Sequence, residues 1–354
     1  MRIGAGLDIR LGLGFEGLRE AGREAARLGF ESLWTPALGV PDAFHVCAAW
    51  GQDTPLRTGI SVVPAARMWG PLALAWQAAT VGEISRGRFA LGIGTGGYGP
   101  GFWASVGLPD RPIAVMRDYL VILRGLLAGQ TVTHEGPALR VQGASLGVPD
   151  PPRVPVHLGA LGAQMLRLAG EQADGALLNW ATPSRISESR RLVAEGAARV
   201  GRDPSEVPLT MYIRVCVDDD VAAARRALGA QVLGYAMAWP GGSRTAGYRG
   251  LFTEMGFDET LSELERRRAE GEPMSSLIDT APDELLSSVG YFGPAGGVAE
   301  AYARLAQGLD ETVVRIVTAR PGLEPVVAAL EALTPARIRA AAAGLLGRVR
   351  NHGA

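Results

Sequence analysis

Apolar residues recur along this chain in two alternating rhythms. Short runs rich in branched aliphatic residues, among them RIGAGLDI, RTGISVVP, VPVHLGA and ETVVRIVTA, have the length and composition of buried strands. Between them lie longer stretches with helical spacing. FEGLREAGREAARLGF puts Leu18, Ala21, Ala25 and Leu28 on one face and stops at Gly29, the usual place of a helix C-cap. DAFHVCAAWGQD starts behind a capping Asp42, and PLALAWQAATVGEIS carries Pro71 in its first turn. Read to the end, the pattern predicts eight strands, each followed by a helix. Crossover helices make neighbouring strands parallel, and eight such units close into a (β/α)8 TIM barrel. A doubly wound open sheet is the alternative, and the strand count argues against it.

The alternation is interrupted in three places. YGPGFWASVGLPDRP, about residues 98–113, is too rich in Gly and Pro for a regular element. Residues 130–150 read as a small hairpin. A polar stretch over 240–297 reads as an insertion with some helix. This divides the chain into one barrel domain over 1–335 with three insertions and an Ala- and Arg-rich helical tail over 336–354, packed outside the barrel or partly frayed.

Composition narrows the chemistry. All 35 basic residues are arginine, so no lysine is available for a Schiff base, and pyridoxal phosphate and lysine-aldolase chemistry are excluded. A net charge of −1 gives no reason to expect a nucleic acid or an acidic membrane as partner. Cys47 and Cys216 form no C-x-x-C pair and read as buried thiols. His45, His134, His157 and His352 lack metal-ligand spacing, and no metal is expected. No apolar run has the length of a membrane span and MRIGAGLDIR is no signal sequence, so a cytoplasmic enzyme is expected.

Two glycine clusters stand at strand ends. In RFALGIGTGG, Gly92, Gly94 and Gly97 satisfy G-x-G-x-x-G. A dinucleotide site needs those glycines after the first strand, a helix directly behind them, and an acidic residue ending the second strand about 20 residues on. Here they end the fourth strand, a loop follows, and Asp118 falls in a helix. In a barrel, glycines at that end either let a flat ligand approach the backbone or fill a crowded interior. In LGALGAQML, Gly162, Ala163 and Gln164 open a helix, where free amides and the dipole favour an anion such as a phosphate, unless the stretch is an ordinary tight turn.

RTGISVVP, GRFALGIGTGG, VMRDYLVILRGLLAGQTVTHEG, VPVHLGALGAQMLRLAGEQADGALLNW and ETVVRIVTARPG, in this order, resemble the bacterial luciferase-like superfamily of flavin and deazaflavin enzymes over about residues 1–335. The likeness is greatest to its coenzyme F420 branch, which includes methylenetetrahydromethanopterin reductases and glucose-6-phosphate dehydrogenases. The resemblance implies a bulge with a non-prolyl cis peptide at Ser61 and Val62 behind the cofactor ring. It implies contacts to the ring or its side chain from Gly94, Thr95 and Gly96, a phosphate site at Gly162, Ala163 and Gln164, a polar cofactor contact from Asn179, and a homodimer.

Two departures bear on the substrate. Thr35 and Pro36 stand where many F420 enzymes of this type carry a charged pair, and Gly97 stands where the sugar-phosphate dehydrogenase has a carboxylate. The usual sugar-phosphate acid–base apparatus is therefore not expected. His45 and Tyr98 are the weak catalytic candidates, with Asp42 beside His45. Trp34, Tyr98, Phe102, Trp103, Trp180 and Trp239 are candidates for a pocket taking a small apolar or planar molecule, or else for packing over the mouth. Arg67, Arg111 and Arg185 are candidates for an acidic cofactor tail. The expected activity is hydride transfer between F420 and such a substrate. The alternatives are an FMN-dependent monooxygenase on the same fold, and a cofactor-binding protein without turnover.

Overall fold

The computed structural model describes residues 1–65, 70–96 and 102–351. Its strands in chain order are β1 (Arg2–Gly6), β2 (Ser32–Thr35), β3 (Arg57–Pro64), β4 (Phe89–Gly94), β5 (Val132–Glu135), β6 (Arg140–Ala144), β7 (Val156–Gly159), β8 (Gly175–Asn179), β9 (Leu209–Val217), β10 (Gly290–Gly293) and β11 (Glu311–Val317). Eight of them pair in parallel in the order β1-β2-β3-β4-β7-β8-β9-β11, and β11 returns to β1, so the sheet is a closed (β/α)8 barrel.

The helices that cover it are α1 (Gly14–Arg27), α2 (Ala43–Asp53), α3 (Pro71–Ile84), α4 (Pro112–Leu127), α5 (Ala163–Gln172), α6 (Pro183–Arg199) and α7 (Val221–Ala236). They are followed by α8 (Gly247–Glu254), α9 (Asp258–Ala269), α10 (Met274–Thr280), α11 (Asp283–Ser287), α12 (Ala295–Leu305), α13 (Leu323–Ala332) and α14 (Pro335–Asn351). Local chemistry sets several starts. Asp42 accepts from the Phe44 and His45 amides at the head of α2, and Pro71 sits in the first turn of α3. None of the helices described is long and apolar enough to cross a membrane.

The segment between β9 and β11 departs from the one-helix-per-strand expectation. It holds six helices and the additional strand β10, which pairs in parallel with Arg214–Val217, the part of β9 beyond its pairing with β8. GYFG is too short and too glycine-rich to show alternation, which is why the pattern misses it. The interruption also starts earlier than its polar stretch. Leu228, Val232 and Leu233 of α7 join Phe252, Leu261, Leu277 and Leu285 in a second apolar core, and Trp180 and Cys216 of the barrel enter it. The last helix, α14, docks: Ile338 is fully buried and Arg339 pairs with Glu31 at 2.6 Å.

Candidate active site

Side chains at every second position of a barrel strand point inward, so each strand contributes one residue per layer. On β8, β9 and β11 the inward series are Gly175–Leu177–Asn179, Thr210–Tyr212–Arg214 and Glu311–Val313–Arg315. Contacts fix this facing: Leu177, Tyr212 and Val313 cluster with Trp34, Ala90 and Val62 inside the barrel. The lower layer is closed by Glu311, fully buried, which accepts from Trp34 Nε1 at 2.9 Å and from Ser32 Oγ, with Arg2 and Arg57 at its rim. The upper layer, at the carboxyl ends of the strands, is polar.

There Arg214 and Arg315 are register partners on adjacent strands, each only 3% exposed. Asp8, just beyond β1 and 1% exposed, pairs with Arg315 and accepts from the Arg10 amide at 2.8 Å. Arg214 donates to Asn179 Oδ1 at 2.7 Å and lies 3.6 Å from the centroid of the Trp180 ring. Asn179 in turn donates to the Tyr248 hydroxyl at 2.8 Å. Tyr235 packs edge-on against Tyr248 and also against Trp180, and Phe252 backs Trp180. Trp180 itself holds a positive φ of 56°, unusual for a bulky residue, between the guanidinium and the second core. Burial pulls the Arg214 pKa down to about 10, leaving it charged at neutral pH. Burial pushes the Tyr235 hydroxyl up, but the Arg214 and Arg10 guanidiniums outweigh it and its pKa lies below the usual tyrosine value. Burial, with Tyr235 adding to it, raises Tyr248 to about 12.

Opposite this cluster, β3 slips its register against β4 between Ile60 and Val63, and the Ser61–Val62 peptide is cis. Ser61 lies beside the Tyr212 hydroxyl. Val62 fills the axis against two bare backbones. A Cβ at Gly94 would come 2.9 Å from Val62 Cγ2, and one at Gly159 would come 3.1 Å from Val62 Cγ1. Thr95 and Gly96 continue the ledge, with Gly96 at φ 78°. Gly162 begins α5 with no capping side chain, so the first-turn amides are free, and a Cβ on Gly162 would meet open space. Ala163 is half-buried and Gln164 exposed. Arg185 donates to the Leu161 carbonyl at 2.7 Å and pairs with Glu254 at 2.8 Å, while its Nε is buried without a partner.

The other candidates fall elsewhere. Trp34 is no pocket wall: it occupies the barrel interior, where glycine at position 59 leaves room for its ring. Trp180 is buried behind Arg214 rather than open to a pocket, Trp239 is 63% exposed on the turn after α7, and Trp103 packs on the main core. His45 is exposed on α2 and bonds Asp42 at 3.0 Å. Arg111 is exposed. Arg67, Gly97, Tyr98 and His352 lie outside the described residues, as does the Phe102 side chain. Asp118 is buried and accepts from the Ala138 and Leu139 amides at 2.8 Å each and contacts His134 at 2.9 Å, which ties the β5–β6 hairpin to α4. Among the described residues no group of His, Cys, Asp or Glu could hold a metal ion. Pattern reading missed Asp8, Arg10, Tyr212, Arg214, Tyr235, Tyr248 and Arg315. The signal for two of them is visible: LTMYIRVCV and ETVVRIV each carry one arginine, at an inward position, among mostly apolar residues.

A closed barrel with a polar layer at the carboxyl ends of its strands defines a TIM-barrel enzyme architecture. The luciferase-like monooxygenase family profile matches residues 4–312, and the chain belongs to that family. It is 31% identical over 208 residues to the 5,10-methylenetetrahydromethanopterin reductase of Methanolobus tindarius, a match covering 57% of this chain and 62% of that one. The fold matches the coenzyme F420-dependent tetrahydromethanopterin reductase of Methanopyrus kandleri with a TM-score of 0.75 at 19% identity, over 95% of this chain and 99% of that one. It also matches an F420-dependent secondary alcohol dehydrogenase, solved with an F420–acetone adduct, with a TM-score of 0.71 at 19% identity, over 95% and 98%.

Proposed function

We propose that the chain is an F420-dependent oxidoreductase acting on a small planar organic substrate at the barrel mouth. The observation that carries this reading is the Val62 bulge packed on the bare backbones of Gly94 and Gly159 at the carboxyl ends of the strands. The names of the relatives support the cofactor class. The residues present fit a planar cofactor with an anionic tail: the uncapped start of α5 offers free amides, and Arg185 has a buried, unpartnered Nε beside Leu161.

Ser61 and Val62 would back the ring, Gly94, Thr95 and Gly96 would border it, Gly162, Ala163 and Gln164 would take the phosphate, and Asn179 would supply a polar contact. When bound, the deazaflavin supplies hydride transfer to or from a substrate carbon. The chain's own residues orient the substrate and exclude water: Tyr235 and Tyr248 wall one side, and Arg214 fixes Asn179. Tyr235, its acidity raised by two guanidiniums, is the side chain best suited to hold or release a proton there.

Parallel fluorescence titrations with oxidised F420 and with FMN test the reading. F420 is expected to bind at least tenfold more tightly, and Gly94→Ala, which displaces Val62, to weaken it at least tenfold. Tighter binding of FMN would instead favour the oxygen-activating chemistry in the family's description.

A further inference from the structure

The charges at the barrel mouth do not balance. Arg214 and Arg315 stand side by side in register, both buried, yet one carboxylate serves them, and Asp8 spends it on Arg315. Arg10 adds a third guanidinium at the rim, reaching Gln231 at 3.2 Å. Among the described residues no carboxylate pairs with Arg214, whose partners are Asn179 and two aromatic rings. The two undescribed internal segments, 66–69 and 97–101, contain no Asp or Glu in their sequences. Arg214 Nε and Trp180 Nε1 are both buried donors without a partner.

A buried charge is tolerated when it is paired, and removal of its counter-ion is costly. Here the described residues supply none, which leaves the occupant of the mouth to provide it. The phosphate of the proposed cofactor has a separate place at the start of α5, on a different strand-to-helix turn. Arg214 lies one inward position above Tyr212, which touches Val62 and Ser61, and so faces the space over the bulge where a substrate would lie. A guanidinium fork matches a planar carboxylate, and the half-buried Tyr235 and Tyr248 rings near it suit a flat organic body.

We propose that Arg214 is the receptor for a carboxylate on the substrate, so that the enzyme acts on small organic acids. This rests on the oxidoreductase reading above and revises the expectation of an apolar substrate. Arg214 would hold the acid end and leave the rest of the molecule over the bulge.

Calorimetric titration tests it. Acetate, hexanoate and benzoate are each compared with the corresponding amide, on the protein alone and on the protein saturated with F420. At least one carboxylate is expected to bind tenfold or more tightly than its amide. Arg214→Gln should abolish that preference and Arg214→Lys keep part of it, while F420 affinity, which Arg214 serves only through Asn179, falls by less than tenfold in both. Equal binding of acid and amide by the wild-type protein, with and without F420, overturns the proposal and requires no variant to fold. So does a preference that survives Arg214→Gln in a variant with wild-type circular dichroism. A tenfold loss of F420 affinity in Arg214→Gln with the preference intact assigns Arg214 to the cofactor and also overturns it. An intact acid preference in a protein that binds no F420 supports the anion site and overturns only the oxidoreductase reading.

Discussion

Individual positions in this barrel carry opposite kinds of constraint that look alike as letters. Gly92 and Gly162 both belong to glycine clusters at strand ends. A Cβ at Gly92 would overlap the Ile60 carbonyl oxygen and Leu177 Cδ1, whereas one at Gly162 would meet nothing. Gly92→Ala is therefore expected to cost about 2–3 kcal/mol by overpacking. Gly162→Ala, at an ordinary φ of −88°, should change stability by less than about 0.5 kcal/mol. Urea denaturation of both variants checks the pair. His157 is a second such case. Burial lowers its pKa to about 4, and its ring sits 6.1 Å from Trp34 with Nδ1 unpartnered. Above pH 6.5 it is neutral folded or unfolded. As the pH falls from 6.5 to about 4 the unfolded chain takes up a proton that the folded one refuses, so stability falls, by about 3 kcal/mol at the lower end. His157→Gln is expected to flatten the stability profile over that window, measured by denaturant titration at each pH.

Among the elements, the insertion between β9 and β11 is a structure in its own right. Arg249, 2% exposed at its side chain, bonds Glu265 at 2.9 Å, and Glu265 also accepts from the Ala238 amide at 2.8 Å. Removing the arginine takes a charged hydrogen bond from a buried carboxylate that keeps Arg244 at 2.6 Å and the Ala238 amide, which costs about 2–3 kcal/mol. Because the second core is separate from the main one, Arg249→Leu should open α8–α11 without unfolding the barrel. Native-state hydrogen exchange is expected to accelerate over 247–287 and stay unchanged in β1–β4. Tyr248 belongs to α8, so the same variant should loosen the Asn179 contact and weaken the binding of an occupant at the mouth. None of this could be read from the segment's polarity. Its apolar residues are spaced over α7 and four short helices whose common core includes Trp180 and Cys216, distant in the chain.

For the whole molecule, closure brings strands from both ends of the chain together: Gly6 of β1 lies in register with Arg315 of β11. A ligand bound at the mouth touches several strands at once and stabilises the folded state by mass action, by about 2.7 kcal/mol at a hundred times its dissociation constant. For a chain of this size F420 should raise Tm by about 4 °C, seen by scanning calorimetry, and FMN at equal concentration by much less. The parallel eight-strand barrel, its α1–α6 covering helices and the hairpin were determined by the sequence alone, because hydrophobic period and caps at Gly29, Asp42 and Pro71 are local. So were the strand-end glycines, though not which of them merely pack. Only the tertiary structure decided that Trp34 fills the interior, that β10 extends the β9 edge, and that Asp8 neutralises Arg315 and leaves Arg214 with no carboxylate among the described residues. Those facts depend on which side chains meet across a closed sheet. Inward facing, layer height and charge pairing become defined only once residues 8, 214 and 315 stand next to one another.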